Sequence, residues 1–196
     1  MKITKIFIPL FMIITLSLSM LQPIITSSEN ISNKVLRLHI LANSDSTEDQ
    51  NLKLTVKEYF LDNTKDLFNG KTLEDNINIA KNNIDYMEKI CNDCIEQNGY
   101  DYKATVSIDK EFFETRVYDD FTMPAGIYNS IKIQIGQGKG HNWWCIVFPS
   151  VCLSACTESM SDYLTEDEME LVTSGYTPKF KIIEIYEKIK KQVTLK

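Results

Sequence analysis

The sequence predicts an α+β fold, in which helices pack on one face of a largely antiparallel sheet within a single domain. Three observations support this prediction. An alternating apolar stretch is followed by two long helical patterns, the period changes to two residues after Gly99, and helical patterns return near the C terminus. The links between the later strands are short, which favours antiparallel pairing. A chain of 196 residues is long enough to bury one sizeable core.

The first 28 residues have the outline of an export signal. Lys2 and Lys5 form a short basic region, residues 6–21 are largely apolar, and small polar residues follow at positions 26–28. We therefore assign residues 1–28 to a signal peptide and residues 30–196 to the α+β domain. Because the apolar stretch at residues 6–25 approaches the roughly 20 residues that span a bilayer, a membrane anchor that is not cleaved is the alternative.

The first strand is predicted at residues 35–41, which alternate between apolar and polar side chains. Arg37 and His39 lie on the polar side of this pattern, so we expect them to be exposed. A turn follows, and the acidic residues Asp45, Glu48 and Asp49 fit capping of the next helix better than the spacing of a calcium loop. That helix is predicted to reach about residue 68. A second, continuous helix is predicted over residues 73–98, with Gly99 as its stop.

The later part of the chain predicts the rest of the sheet. Residues 102–108, 113–117 and 127–135 alternate, while residues 143–148 are apolar throughout and predict a central strand that is covered on both faces. The three alternate glycines at positions 136–140 predict a hairpin-like turn. They do not form a dinucleotide fingerprint, because a strand and not a helix follows them.

The charge of the chain limits its partners. The formal net charge is -6, and without Lys2 and Lys5 the body carries 19 basic against 27 acidic residues, which gives -8. An acidic body argues against nucleic acid and against an anionic membrane surface as the main partner.

Two of the five cysteines form a C-x-x-C pair. Cys91 and Cys94 continue the apolar stripe near the C-terminal end of the second predicted helix. A redox pair needs its first thiol at a helix N terminus, so these two residues are expected to be core thiols or a structural bridge. Zinc is disfavoured because no second close pair or nearby histidine completes a ligand set. We expect no metal and no other cofactor.

The remaining three cysteines are Cys145, Cys152 and Cys156. Export admits disulfides, and a Cys145–Cys152 bridge is the favoured pairing, with Cys156 as an alternative partner. A catalytic Cys145 assisted by His39 is the enzymatic alternative. It is disfavoured because Cys145 lies in mid-strand between bulky residues, whereas catalytic cysteines occupy helix N termini or exposed elbows.

Two sequence blocks carry a family resemblance: LRLHILANSDSTEDQNLKLTVKEY and PAGIYNSIKIQIGQGKGHNWWCIVFPSVC. Together they resemble the stage II sporulation protein R family of endospore-forming bacteria. The resemblance implies a signalling protein and not an enzyme. It implies export from the forespore into the space between forespore and mother cell. There, the resemblance further implies, the protein triggers a membrane-embedded aspartic protease of the mother cell, which cleaves the sigma-E precursor.

The resemblance implies no catalytic residues, so the candidate site is a protein contact surface. Trp143 and Trp144 are expected on opposite faces of their strand, with at most one of them exposed. Two other function classes remain: a secreted cysteine-dependent envelope hydrolase using Cys145 and His39, and a wall-binding module using an exposed tryptophan. The candidate receptor contacts, which we expect to include exposed polar side chains of the first block, are Arg37, His39, Asn43, Asp45, Asp49, Tyr128, His141, Asn142, Trp143 and Trp144.

Overall fold

A computed structural model describes residues 2–149 and 160–194. The chain separates into two compact units. The sheet unit consists of Ser32–Phe113 and Ile127–Thr165. The helical unit consists of Met1–Ile31, Glu114–Gly126 and Glu166–Lys196. The predicted boundary at residue 30 lies close to the start of the sheet unit, and the grouping of residues 30–196 into one domain stays a prediction.

The sheet unit contains a four-stranded sheet, whose strands are β1 (Leu36–Leu41), β2 (Ala104–Phe113), β5 (Gly126–Ile135) and β6 (Asn142–Phe148). Their order in the sheet is β2–β5–β1–β6. β1 pairs in parallel with β5 and antiparallel with β6. The sheet is therefore mixed but mostly antiparallel, and the α+β class is confirmed.

The position of β6 differs from the prediction. We predicted a central strand, yet β6 ends the strand order, and β5 and β1 take the inner places among the described residues. The unbroken apolar run arises because β6 supplies apolar side chains to both faces. Cys145 lies opposite Leu38 on one face, and Trp144 lies opposite His39 on the other.

The prediction that Arg37 and His39 of β1 are exposed is also wrong. Arg37 is 0% exposed and His39 is 5% exposed, so the strand is buried on both faces. On the face of the sheet that carries Arg37 and His39, aromatic residues of neighbouring strands contact Arg37. They include Phe113 of β2 and Tyr128 of β5. An alternating pattern fits a half-buried strand, but here the polar side of the alternation is covered as well.

Three helices cover the other face of the sheet, as predicted. They are α2 (Thr47–Thr64), α3 (Leu73–Asn82) and α4 (Ile84–Gln97). The Ser46 hydroxyl caps α2 by accepting the Asp49 N–H at 3.2 Å. At its other end, α2 stops at Thr64, four residues before the predicted end at about residue 68.

The predicted continuous second helix is two helices. Asn83 interrupts it with φ -120° and ψ 18°, and its side-chain Nδ2 donates to the Ile79 carbonyl at 2.8 Å. Asparagine side chains compete in this way with helical hydrogen bonds. Gly99 follows α4 with φ 80°, which confirms it as the stop.

The core lies between β1 and the helices. Leu38 and Ile40 are fully buried together with Phe60 of α2 and Met87 of α4. α4 also protects an edge of the sheet. Its Asn92 side chain accepts the Ala104 N–H at 2.9 Å and donates to the Ala104 carbonyl at 3.1 Å. The start of β2 is thereby satisfied without a further strand.

The helical unit contains α1 (Lys2–Ser32), a small hairpin of β3 (Arg116–Val117) and β4 (Thr122–Met123), α5 (Glu166–Thr173) and α6 (Pro178–Thr194). Within the part of the chain that the structure describes, no helix has the length and hydropathy required to cross a bilayer. The assignment of residues 1–28 to a signal peptide or an anchor stays a prediction.

Candidate functional site

The loop after β1 is held by a buried carboxylate. Asp49 is 4% exposed and accepts hydrogen bonds from Asn43 Nδ2 at 2.8 Å, from Ser44 Oγ at 2.5 Å and from the Tyr102 side chain. Burial alone would raise the pKa of Asp49, but these three hydrogen bonds outweigh it and hold the pKa below its usual range. We call Asn43, Ser44, Asp49 and Tyr102 the Asp49 network.

The turn between β5 and β6 is attached to the same loop. The side-chain oxygen of Asn43 accepts the Gln137 N–H at 3.0 Å, and the Asn43 carbonyl accepts the Lys139 N–H at 3.2 Å. A third bond joins the Gly140 N–H to the Ala42 carbonyl at 2.9 Å. Asn43 therefore connects the Asp49 network with the turn, and the two loops form one surface.

The predicted turn is confirmed, and its glycines also permit a close approach. Gly136 has φ +55°, and a Cβ placed there would lie 2.4 Å from the Asn43 side-chain oxygen. A Cβ on Gly140 would lie 2.1 Å from the backbone oxygen of Ser44. A side chain at either position would push the two loops apart.

The joined loops present a pair of polar side chains to solvent. The Asp45 carboxylate accepts the His141 N–H at 2.6 Å and also pairs with His141 Nδ1. The two side chains are 56% and 78% exposed, respectively. Beneath them, Lys53 Nζ, in a residue only 5% exposed, donates to the His141 carbonyl at 2.9 Å. Lys53 thus holds the backbone at His141, while the side chains of the Asp45–His141 pair stay exposed to solvent.

A second polar cluster lies on the face of the sheet that is opposite the helices. The Glu111 carboxylate contacts His39 Nδ1 at 3.0 Å, accepts from Ser130 Oγ at 2.9 Å and pairs with Lys132 Nζ at 3.2 Å. Burial would raise the pKa of Glu111, but His39, Ser130 and Lys132 together lower it to about 2. We call these four residues the Glu111 cluster.

Aromatic contacts surround this cluster. The His39 ring stacks on Trp144 with 3.7 Å between centroids, and His39 Nε2 lies 2.9 Å from the Asn142 side-chain oxygen. The Arg37 guanidinium lies 4.5 Å from the centre of the Phe113 ring, and its Nε donates to the Cys145 carbonyl at 3.0 Å. Arg37 thereby joins the second face of β1 to the backbone of β6.

The predicted contact residues divide by exposure. Three are exposed: Asp45, His141 and Asn142. Three are half-buried: Asn43, Trp143 and Trp144. The other four are at most 5% exposed, which makes them supports for the surface rather than parts of it: Arg37, His39, Asp49 and Tyr128. The contact role itself stays a prediction.

Sequence reasoning missed Glu111, Ser130, Lys132 and Lys53. Ser130 and Lys132 were visible as the polar side of an alternating strand. Their relation to His39 depends on the parallel pairing of β1 with β5, which places His39 opposite Lys132. No local pattern in the sequence marks that pairing.

The two tryptophans point to opposite faces, as predicted. Trp143 packs against the hydrophobic core, and Lys57 Nζ lies 4.7 Å from the centre of its ring. Trp144 stacks on His39 on the other face. Each side chain is half-buried, so neither is a fully exposed contact residue.

The geometry does not assemble the Cys145–His39 pair of the hydrolase hypothesis. Cys145 lies opposite Leu38 and packs against the core, whereas His39 lies on the other face of the sheet. Cys91 and Cys94 are free and buried. Cys152 and Cys156 fall outside the described residues, so the Cys145–Cys152 pairing stays a prediction.

The region of the chain that contains the Asp49 network and the Glu111 cluster is similar to known proteins. The family model described as stage II sporulation protein R matches residues 32–158. Stage II sporulation protein R of Bacillus subtilis (strain 168) is 33% identical over 126 residues, which cover 62% of this chain and 55% of that protein. The match thus spans about half the length of the curated relative. No solved structure matches the chain. Because the family model covers more than half of the chain, the protein belongs to the stage II sporulation protein R family.

Proposed function

We propose that this protein is an exported signal of sporulation that activates a membrane-embedded aspartic protease of the mother cell, which then cleaves the sigma-E precursor. Membership of the stage II sporulation protein R family carries this proposal. The separation of Cys145 and His39 on opposite faces of the sheet favours a protein ligand over a cysteine hydrolase. We place the protein, once exported, in the space between forespore and mother cell.

We propose that the protease contacts the surface made by the β1–α2 loop and the β5–β6 turn. The exposed members of this surface are Asp45, Ser46, Gln137, Lys139, His141 and Asn142. Two backbone–backbone hydrogen bonds, the bond from the Gln137 N–H to the Asn43 side chain and the buried Asp49 network fix the loops before any partner arrives. A surface that is already ordered loses less conformational entropy on binding, which favours recognition by a loop of the protease.

The test is a pair of exposed substitutions, Asp45→Ala and His141→Ala, made singly and together. We expect stability to change by no more than about 1.5 kcal/mol, because the side-chain contact is exposed and the hydrogen bond from the His141 N–H to Asp45 contributes about 1 kcal/mol. We expect cleavage of the sigma-E precursor to fall strongly in the double variant at an equal level of exported protein.

The matched control is the exposed ion pair between Lys89 and Asp93 on α4, whose atoms lie 2.6 Å apart. Alanine at both of these positions removes a similar pair from a distant surface and should leave precursor cleavage unchanged. If the Asp45/His141 double variant supports cleavage of the precursor by the protease as well as this control does, the proposed contact surface is wrong.

The buried supports should behave differently. Asp49→Ala removes the acceptor of three hydrogen bonds, so we expect it to reduce the amount of folded protein and signalling in the same proportion. We also propose that Cys145 pairs with Cys152, and a peptide map made without reduction identifies the partner. A variant with serine at both positions should signal in proportion to its folded fraction.

A further inference from the structure

The last part of α1 is built into the helical unit. Ser28 is 2% exposed, and its hydroxyl donates to the Ala125 carbonyl at 3.5 Å. The Glu29 carboxylate accepts from Tyr186 at 3.1 Å and pairs with Lys190, and Lys190 holds the pKa of Glu29 below its usual range. Ile31 is fully buried. Residues 28–31 are therefore structural members of the folded body.

The contacts of α1 extend back to Pro23. Pro23, Ile24 and Ser27 line a cavity of about 220 Å³ together with residues of α5 and α6, including Leu171 and Lys179. Further toward the N terminus, Leu21 is half-buried, and the apolar side chains described before it are open to solvent. Ile8, Phe11, Met12 and Leu16 are 62%, 67%, 63% and 65% exposed, respectively. The boundary between the exposed segment and the folded body thus lies between Leu16 and Pro23.

A cut after Ser28 would conflict with this boundary. It would remove Ser28 with its hydrogen bond to Ala125, together with the cavity wall made by Pro23 and Ile24. It would also place a new ammonium group on Glu29, whose side chain already pairs with Lys190. An exported protein cut there would lose contacts that its own fold uses.

The sequence offers a cleavage site on the correct side of the boundary. Ser17-Leu18-Ser19 has small residues at the two positions that a signal peptidase reads. It follows a largely apolar region, residues 6–16, whose length falls within the usual range of about 7–15 residues for a signal peptide. Lys2 and Lys5 precede that region.

We propose that the signal peptide is removed by hydrolysis of the Ser19–Met20 peptide bond. One water is consumed, which leaves a carboxylate on Ser19 and an amino group on Met20. The exported protein then keeps residues 20–32 of α1 and all the contacts described above. This inference rests on the export that the proposed function requires.

The experiment expresses the full chain in a bacterial host that exports it, and determines the N terminus of the exported protein by intact mass and terminal sequencing. We expect a chain that begins at Met20. An exported chain that begins at Glu29, or at any residue after Pro23, overturns the inference, as does an exported chain that is never cleaved.

Two variants locate the cut independently. Ser17→Phe puts a bulky residue at the first reading position of the proposed site and should abolish processing. Thr26→Phe is the matched control, because Thr26 is exposed and occupies the same reading position for a cut after Ser28. It should leave processing unchanged, and the opposite pattern would contradict the proposal.

The N terminus is read without any signalling assay, so the two proposals fail separately. A chain that begins at Met20 but produces no cleavage of the sigma-E precursor refutes the proposed function alone. An exported chain that signals but begins elsewhere refutes the cleavage site alone.

Discussion

Replacement of Glu111 by glutamine should destabilise the protein through the loss of one partly buried charge. The Glu111 carboxylate contacts His39 Nδ1, accepts a hydrogen bond from Ser130 and forms an ion pair with Lys132. Its side chain is 17% exposed. Its pKa is lowered from 4.5 to about 2. Glutamine keeps the shape of the side chain but cannot carry the charge, so the variant isolates the electrostatic part.

The magnitude follows from the lowered pKa. One pKa unit corresponds to about 1.4 kcal/mol, so the change from 4.5 to about 2 corresponds to roughly 3 kcal/mol of stability at neutral pH. The pKa is lower in the folded than in the unfolded protein. The stabilisation is therefore fully present above pH 4.5 and is lost as the pH falls toward about 2.

Urea denaturation at a series of pH values between neutral and about 2 is the assay. Near neutral pH, Glu111→Gln should lose roughly 3 kcal/mol of unfolding free energy relative to the unsubstituted protein, and this difference should shrink below pH 4.5. Glu114→Gln is the control, because Glu114 is exposed, and it should change stability by no more than about 0.5 kcal/mol. A difference that stays constant with pH, or one no larger than that of the control, would refute the reasoning.

Two further predictions concern packing. Gly140→Ala should lower the melting temperature more than Gly175→Ala, because a Cβ on Gly140 would lie 2.1 Å from the Ser44 backbone oxygen, whereas Gly175 has open space and only a positive φ of +70°. We expect about 2–4 kcal/mol for the first and about 1–2 kcal/mol for the second, and the reverse order would contradict the loop contact. Cys91 and Cys94, at 1% and 2% exposed and with pKa values raised by burial, should resist iodoacetamide in the native protein and react after unfolding. Rapid labelling of the native protein would show that α4 is less buried than described.

Local patterns predicted the elements that depend on neighbouring residues in the chain. The Gly99 stop, the turn at positions 136–140 and the opposite directions of Trp143 and Trp144 are all confirmed. Each is a consequence of backbone conformation or of a strand's two-residue period, and both are written locally.

The predictions that were wrong also relied on local patterns. The periodicity of residues 73–98 suits one helix, but Asn83 leaves the helical conformation, with φ -120° and ψ 18°, and divides it in two. The apolar run of β6 suits a central strand, yet strand order is a long-range property, and β6 ends the described sheet. Composition does not report which element covers a strand, and for β1 it did not report that the polar side is covered as well.

The sequence by itself determined the α+β class, the alternation of β1, the glycine turn and the resemblance to the family, because each is carried by residues close together in the chain. Only the tertiary structure decided which polar residues of the first sequence block are buried. The pairing of β1 with β5 and β6 places His39 opposite Lys132 and Trp144, and thus makes an expected surface histidine part of a buried cluster. Burial depends on what packs against a face, and that is fixed by contacts between residues far apart in sequence.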